Sequence, residues 1–391
     1  MRSLKVHWKP VSVALLAVAG LAAGLYLQSA GIASAGDAKQ PMVMKSTIVL
    51  TANRETIYKD PPKKDKSNAN WNVYQWTPRI GFSVLGPIAP GSQLYVDFTM
   101  GGKKLISYDC DTGEIDETQW YSTTCGASSS DWEGKGKSTT KTGEIAFEIK
   151  MRNELESWDR SLLKGTAEVK MFNLGPEMNC KGCNTYYFDY DWALPIGYAG
   201  FNDEIGGQTI LEDQCDSLEV EMWFQQDVEG DAIAYLYYKG KVVGSTTPHN
   251  QDGPTWGMSD TLKETWIPEG TGHKWYFTRF SFTSILQCVG KNAKDFDPKT
   301  NDGDRVWYPL FKNPGEYEVK VLLKGKLIRT AKLTIDDKGY IVDSGIAAKN
   351  GLGTWKTVIP VKVVAAETGS WDKEAWKKAF FGNPLSDFTA P

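Results

Sequence analysis

Histidine is scarce: the chain holds three in 391 residues, at His7, His249 and His273. None stands in an H-E-x-x-H pattern, and neither a G-x-S-x-G elbow nor a phosphate-binding loop occurs. Ser-His-Asp and Cys-His mechanisms are disfavoured on that ground. Long helical periodicity is nearly absent. After residue 27 no apolar run reaches the roughly 20 residues that a membrane helix needs. What remains is a strand-rich chain without a catalytic signature.

The first residues read as an export signal. Arg2, Lys5 and Lys9 precede an apolar run over 11–27, and Ala33, Ser34 and Ala35 supply small residues before Gly36. A positive start, an apolar middle and an A-x-A end make a secretory signal peptide, with cleavage expected after Ala35. The alternative is an uncleaved anchor, for which the run is slightly short. The chain is thus expected outside the cytoplasm, in a periplasm, at a cell surface or in the medium, with no membrane span once the leader is removed. Removing residues 1–35 takes three cations from a chain of formal charge −4, leaving −7. Such mild acidity argues against nucleic acid as the partner.

The six cysteines are Cys110, Cys125, Cys180, Cys183, Cys215 and Cys288. An even number in an exported chain reads as disulfides. Six cysteines allow fifteen pairings, among which the sequence does not choose; Cys110 with Cys125, Cys180 with Cys183, and Cys215 with Cys288 is the preferred set because each pair then stays within one expected domain. Asn184 follows Cys183 where covalent haem attachment requires histidine. Zinc would need a second close pair of ligands, and the other cysteines are scattered.

The dominant period is two. Leu94, Val96, Phe98 and Met100 fall on one face, as do Ile145, Phe147, Ile149 and Met151, and again Leu218, Val220, Met222 and Phe224. Tyr317, Val319 and Val321 lead through the turn at 324–326 into Leu327, Ala331, Leu333 and Ile335, a hairpin pattern. One helix is expected at 370–380, with Ser370 as its N-cap and Glu374 paired to Lys378. A weak internal repeat relates 165–175 to 315–325, and the turn at 101–103 to that at 239–241. The fold class predicted is mainly β: two tandem antiparallel β-sandwich domains with a short C-terminal helix. The sandwiches resemble immunoglobulin-like modules, although the Cys…Trp…Cys core pattern of true immunoglobulin domains is missing. The layout is leader 1–35, lead-in strand and charged linker 36–70, first sandwich 71–200, second sandwich 201–343, and C-terminal strand and helix 344–391.

Candidate chemistry is limited. Asp295, Asp297, Asn301, Asp302 and Asp304 gather oxygen ligands around Gly303, the donor type calcium prefers. The segment 109–116 does so less clearly, and neither fits the full EF-hand spacing. Carboxylates are plentiful, but no spacing singles out a catalytic pair. Aromatics are abundant, and Tyr95 and Trp223 fall opposite the apolar face of their strands. An aromatic standing there can stack on a sugar ring or anchor another protein.

These features point to an exported, non-enzymatic protein that binds a partner protein, assembles with itself or holds a surface polymer such as a glycan. A carbohydrate-active enzyme with an accessory sandwich, or a structural subunit of an envelope layer or appendage, would share the same plan.

Overall fold

The computed structural model describes residues 41–57, 73–86, 88–89, 91–111, 120–126, 138–173, 184–202, 215–228, 230–246, 263–266, 275–288 and 307–391. The leader, Cys180, Cys183, His249, His273 and the calcium candidates Asp295, Asp297, Asn301, Asp302 and Asp304 lie outside them, as does most of 109–116. Strands make up 63% of the described chain and helix 8%, so the sheets must cover one another.

There are two sheets. The first contains β1 (Met42–Ile57), β2 (Val73–Leu85), β3 (Ser92–Met100), β4 (Lys103–Asp111), β5 (Trp120–Cys125), β6 (Gly143–Asn153), β7 (Trp158–Asn173) and β8 (Asn184–Phe188). Its strand order is β1-β2-β5-β4-β3-β6-β7-β8. The second contains β9 (Ile196–Asn202), β10 (Cys215–Phe224), β11 (Ala232–Tyr238), β12 (Lys241–Ser245), β13 (Lys263–Trp266), β14 (Tyr276–Cys288), β15 (Tyr308–Pro309), β16 (Gly315–Leu323), β17 (Lys326–Ile335) and β18 (Thr357–Val363). Its order is β12-β11-β16-β17-β18-β9-β10-β14-β13, with β15 paired to β14. Each sheet is nearly closed and barrel-like. The ladder runs unbroken from β1 to β8, with no gap dividing it into the two facing sheets of an immunoglobulin-like sandwich.

The two sheets share one plan. In the first, the open seam lies between β8 and β1; in the second, β18 pairs with β9 and the seam lies between β14 and β12. Set aside β13 and β15, close both rings, and the strands succeed one another identically. β9, β10, β11, β12, β14, β16, β17 and β18 take the places of β1 to β8 in sequence order. The turn at 101–102 corresponds to that at 239–240 in this scheme, as the sequence match proposes. The match of 165–175 with 315–325 is one strand out, because it sets β7 against β16 instead of β17.

Alternation places the core. Leu94, Val96 and Phe98 on β3 and Ile145, Phe147, Ile149 and Met151 on β6 are buried in the first barrel; Leu218, Val220, Met222 and Phe224 on β10 are buried in the second. Each such side chain contributes about 1.5–3 kcal/mol. On β17 the register slips opposite Val321 and Leu322, so Leu327 turns outward and Ile328 is buried instead. Cys110 faces Cys125 across β4 and β5, and Cys215 faces Cys288 across β10 and β14; both pairs are disulfide-bonded.

The short C-terminal helix is present, but it starts later than expected and is kinked: a 3-10 turn spans Ala375–Lys378 and runs into a helical turn at Ala379–Gly382, and Glu374, not Ser370, precedes it. The Ser370 carbonyl instead accepts a hydrogen bond from Gln225, and Glu374 pairs with Lys377, not Lys378. Phe380 and Phe381 follow with φ of 47° and 59°. That left-handed backbone sends the two neighbouring rings into different cores: Phe381 into the first barrel against Phe147, and Phe380 among Ile196, Tyr198, Val358 and Leu385. Gly165 makes the approach possible, since a β-carbon there would lie 2.9 Å from the Phe381 carbonyl oxygen.

A buried polar chain crosses the junction of the barrels. Arg329 on β17 pairs with Glu367, which accepts a hydrogen bond from the Gln225 backbone N–H. The Gln225 amide donates to Asp191, and Asp191 accepts from the Asp372 N–H.

Candidate functional site

The outer face of the second sheet carries the floor of a cleft of about 370 Å³. Register lines up its residues. Tyr198 on β9 lies beside Glu221 on β10, and Glu221 beside Arg279 on β14; one step along, Trp223 lies beside Phe277. Trp223 stacks on Tyr190 with ring centroids 5.3 Å apart and meets Phe277 at 5.0 Å. Trp192 and Phe380 close one end, 5.0 Å apart.

The first barrel supplies a wall through a flaw in its own ladder. The register of β1 against β2 jumps between Met44 and Val49, leaving Lys45–Ile48 unpaired with β2. The Thr47 hydroxyl fills the gap, donating to the Met44 carbonyl and accepting from the Ser83 N–H. The freed backbone turns to the other barrel: the Lys45 and Ser46 N–H groups donate to the carbonyls of Gly351 and Leu352 at 3.2 and 3.1 Å. Gly353 has φ +71°, and any β-carbon on it would lie 2.3 Å from Met44 Cγ. This close seam presents Thr354, Trp355 and Lys356 to the cleft, with Trp355 68% exposed at its lip.

Charge is concentrated at the Arg279 end. Lys356 Nζ lies 2.6 Å from Glu221 Oε1 and 3.4 Å from Glu219 Oε2. Arg279 Nε lies 3.1 Å from Glu221 Oε1 and 3.5 Å from Glu219 Oε2. The Ser281 hydroxyl donates to Glu219. Both carboxylates are nearly inaccessible, at 2% and 5% exposure, and burial on this scale is tolerable only because each has cations in contact. Burial, followed by the nearby Glu221 charge, pushes the Tyr198 phenol well above its ordinary range. Burial alone draws the Lys45 ammonium downward.

Of the two aromatics predicted to bind, Trp223 lies in this cleft and Tyr95 does not. Tyr95 belongs to the first barrel, where its hydroxyl donates to Asp159 at 2.5 Å and its ring lies under Lys150 and Arg152. Sequence reasoning missed Glu219, Glu221, Arg279 and Lys356. The available signal was the position of Glu219 and Glu221 on the same face as Trp223. Among the described residues there is no cluster of three or more metal-ligating side chains, and no helix is long and apolar enough to cross a membrane. Compared with protein-family models and with curated proteins, the chain matches none.

Proposed function

We propose that the protein is an exported, non-enzymatic binding protein that holds a saccharide segment of a surface polymer in the cleft between its two barrels. The observation that carries this reading is the pairing of flat aromatic rings with fixed charges on one floor: Trp223 and Phe277 beside Glu221 and Arg279. Sugars present apolar C–H faces and a rim of hydroxyls, and those two surfaces ask for rings and charged hydrogen-bonding groups respectively. The cleft, of about 370 Å³, falls within the roughly 300–1,000 Å³ of ligand pockets and suits a small saccharide unit.

The carboxylate arrangement supports binding over hydrolysis. A glycosidase sets its two acids on opposite sides of the scissile bond. Glu219 and Glu221 sit two residues apart on one strand and share the same two cations. The two described disulfides support an oxidising compartment, in keeping with 1–35 as a signal peptide.

The test is tryptophan fluorescence during titration with a panel of mono- and oligosaccharides, repeated on Trp223→Ala. Binding that shifts the emission and weakens at least about tenfold in the variant supports the reading. A folded wild-type protein that responds to no saccharide, or a variant that binds as before, refutes it.

A further inference from the structure

The cations that line the cleft differ in their partners. Lys356 and Arg279 are spoken for by Glu221 and by Glu219 behind it. Lys45 lines the same cleft and has no carboxylate beside it among the described residues. An uncompensated, half-buried ammonium costs solvation that a solvated surface position would avoid. Lys45 is held at that place, because its own N–H is bonded to Gly351 across the seam.

We infer that the cleft selects an anionic saccharide, a sugar bearing a carboxylate or a sulfate ester, with its ring on the aromatic floor and its anion paired to Lys45. The inference rests on the saccharide reading above and adds the charge of the ligand. The aromatic rings confer affinity for any sugar face; Lys45 confers the preference among them, since a half-buried cation without a carboxylate partner discriminates by charge.

The experiment compares glucose, glucuronic acid and glucose 6-sulfate by isothermal titration calorimetry on the wild type, Lys45→Met, Lys45→Arg and Trp223→Ala. Circular dichroism confirms that each variant is folded. The expected result is that one or both anionic sugars bind at least about tenfold more tightly than glucose, the increment of a charge-assisted contact. Lys45→Met should abolish that preference, and Lys45→Arg should restore it. Glucuronic acid and glucose 6-sulfate together distinguish a carboxylate from a sulfate as the preferred anion. Equal affinity for all three sugars, or a preference that survives Lys45→Met, overturns this inference and leaves the saccharide cleft standing. Failure of every sugar to bind the folded wild type removes both.

Discussion

Arg329 and Glu367 form an ion pair in which neither side chain has any exposed surface, with Arg329 Nη1 2.7 Å from Glu367 Oε1. Arg329 also donates to the Ala365 and Ile328 carbonyls and lies over the Phe224 ring. The pair fixes the chain after β18 against the second barrel. Replacing Glu367 with Gln, or Arg329 with Met, leaves a buried charge uncompensated and should cost about 3–5 kcal/mol. The double replacement should cost clearly less than the sum of the two. Urea denaturation of the three variants measures this, and strict additivity would contradict it.

The two described disulfides close loops of different length, with sequence separations of 15 for Cys110–Cys125 and 73 for Cys215–Cys288. On loop entropy alone their removal should cost about 3 and about 4 kcal/mol respectively. Paired Cys→Ala variants compared in guanidinium should show the second as the more damaging. The reverse order would mean that local packing, not chain entropy, sets the balance.

Gly353→Ala should damage the cleft without touching its lining. The residue has φ +71°, and the new methyl would meet Met44 at 2.3 Å. We expect a loss of about 1–3 kcal/mol from backbone strain and the displaced seam, with weaker ligand binding because Lys356 lies three residues on. Adding Met44→Ala should recover part of the stability by removing the clash. A Gly353→Ala protein as stable as the parent would show that the seam gives way freely.

Alkaline pH should unfold the protein through its tyrosines. Partial burial, followed by the hydrogen bond to Asp159, pushes Tyr95 up to about 12. Burial raises Tyr190, Tyr198 and Tyr317 further still. A phenol whose folded pKa lies above its unfolded value of about 10 stabilises the fold fully below that value. The contribution is lost as pH rises through the folded pKa. Stability in urea should therefore hold to about pH 10 and then fall, with phenolate absorbance appearing alongside unfolding. Reversible ionisation of every tyrosine near pH 10 in a folded protein would contradict this.

The parts of this fold legible in the sequence are those decided within one strand. Alternation identified the buried faces of β3, β6 and β10, and the turn at 324–326 identified the β16–β17 hairpin. The two described disulfides agree with a pairing preferred only because it kept each pair within one expected domain, since the sequence itself leaves fifteen pairings open. The cleft was not legible in this way. Glu219 and Glu221 alternate with apolar residues as solvent-facing acids do, and only Lys356, arriving from more than 130 residues away, turns that outer face into an interior. The bulge on β1 depends on its ladder with β2, which no local pattern reports. At 370–380 the spacing of charges announced the short C-terminal helix but not its late start or its kink, which follow from the destinations of Phe380 and Phe381 in separate cores.

The position of Phe381 has a consequence for how the chain must be made. Its ring fills the first barrel beside Phe147 and Tyr190, residues synthesised long before it. Trp275, also late in the chain, joins the same core. During synthesis from the N-terminus, all eight strands of the first barrel exist before the pieces that plug it. An expressed fragment ending near residue 195 would carry the complete first sheet and still present an open, aromatic-lined mouth, inviting association with other copies. Two barrels drawn on one plan thus mature as a single unit, sealed only when the last residues arrive.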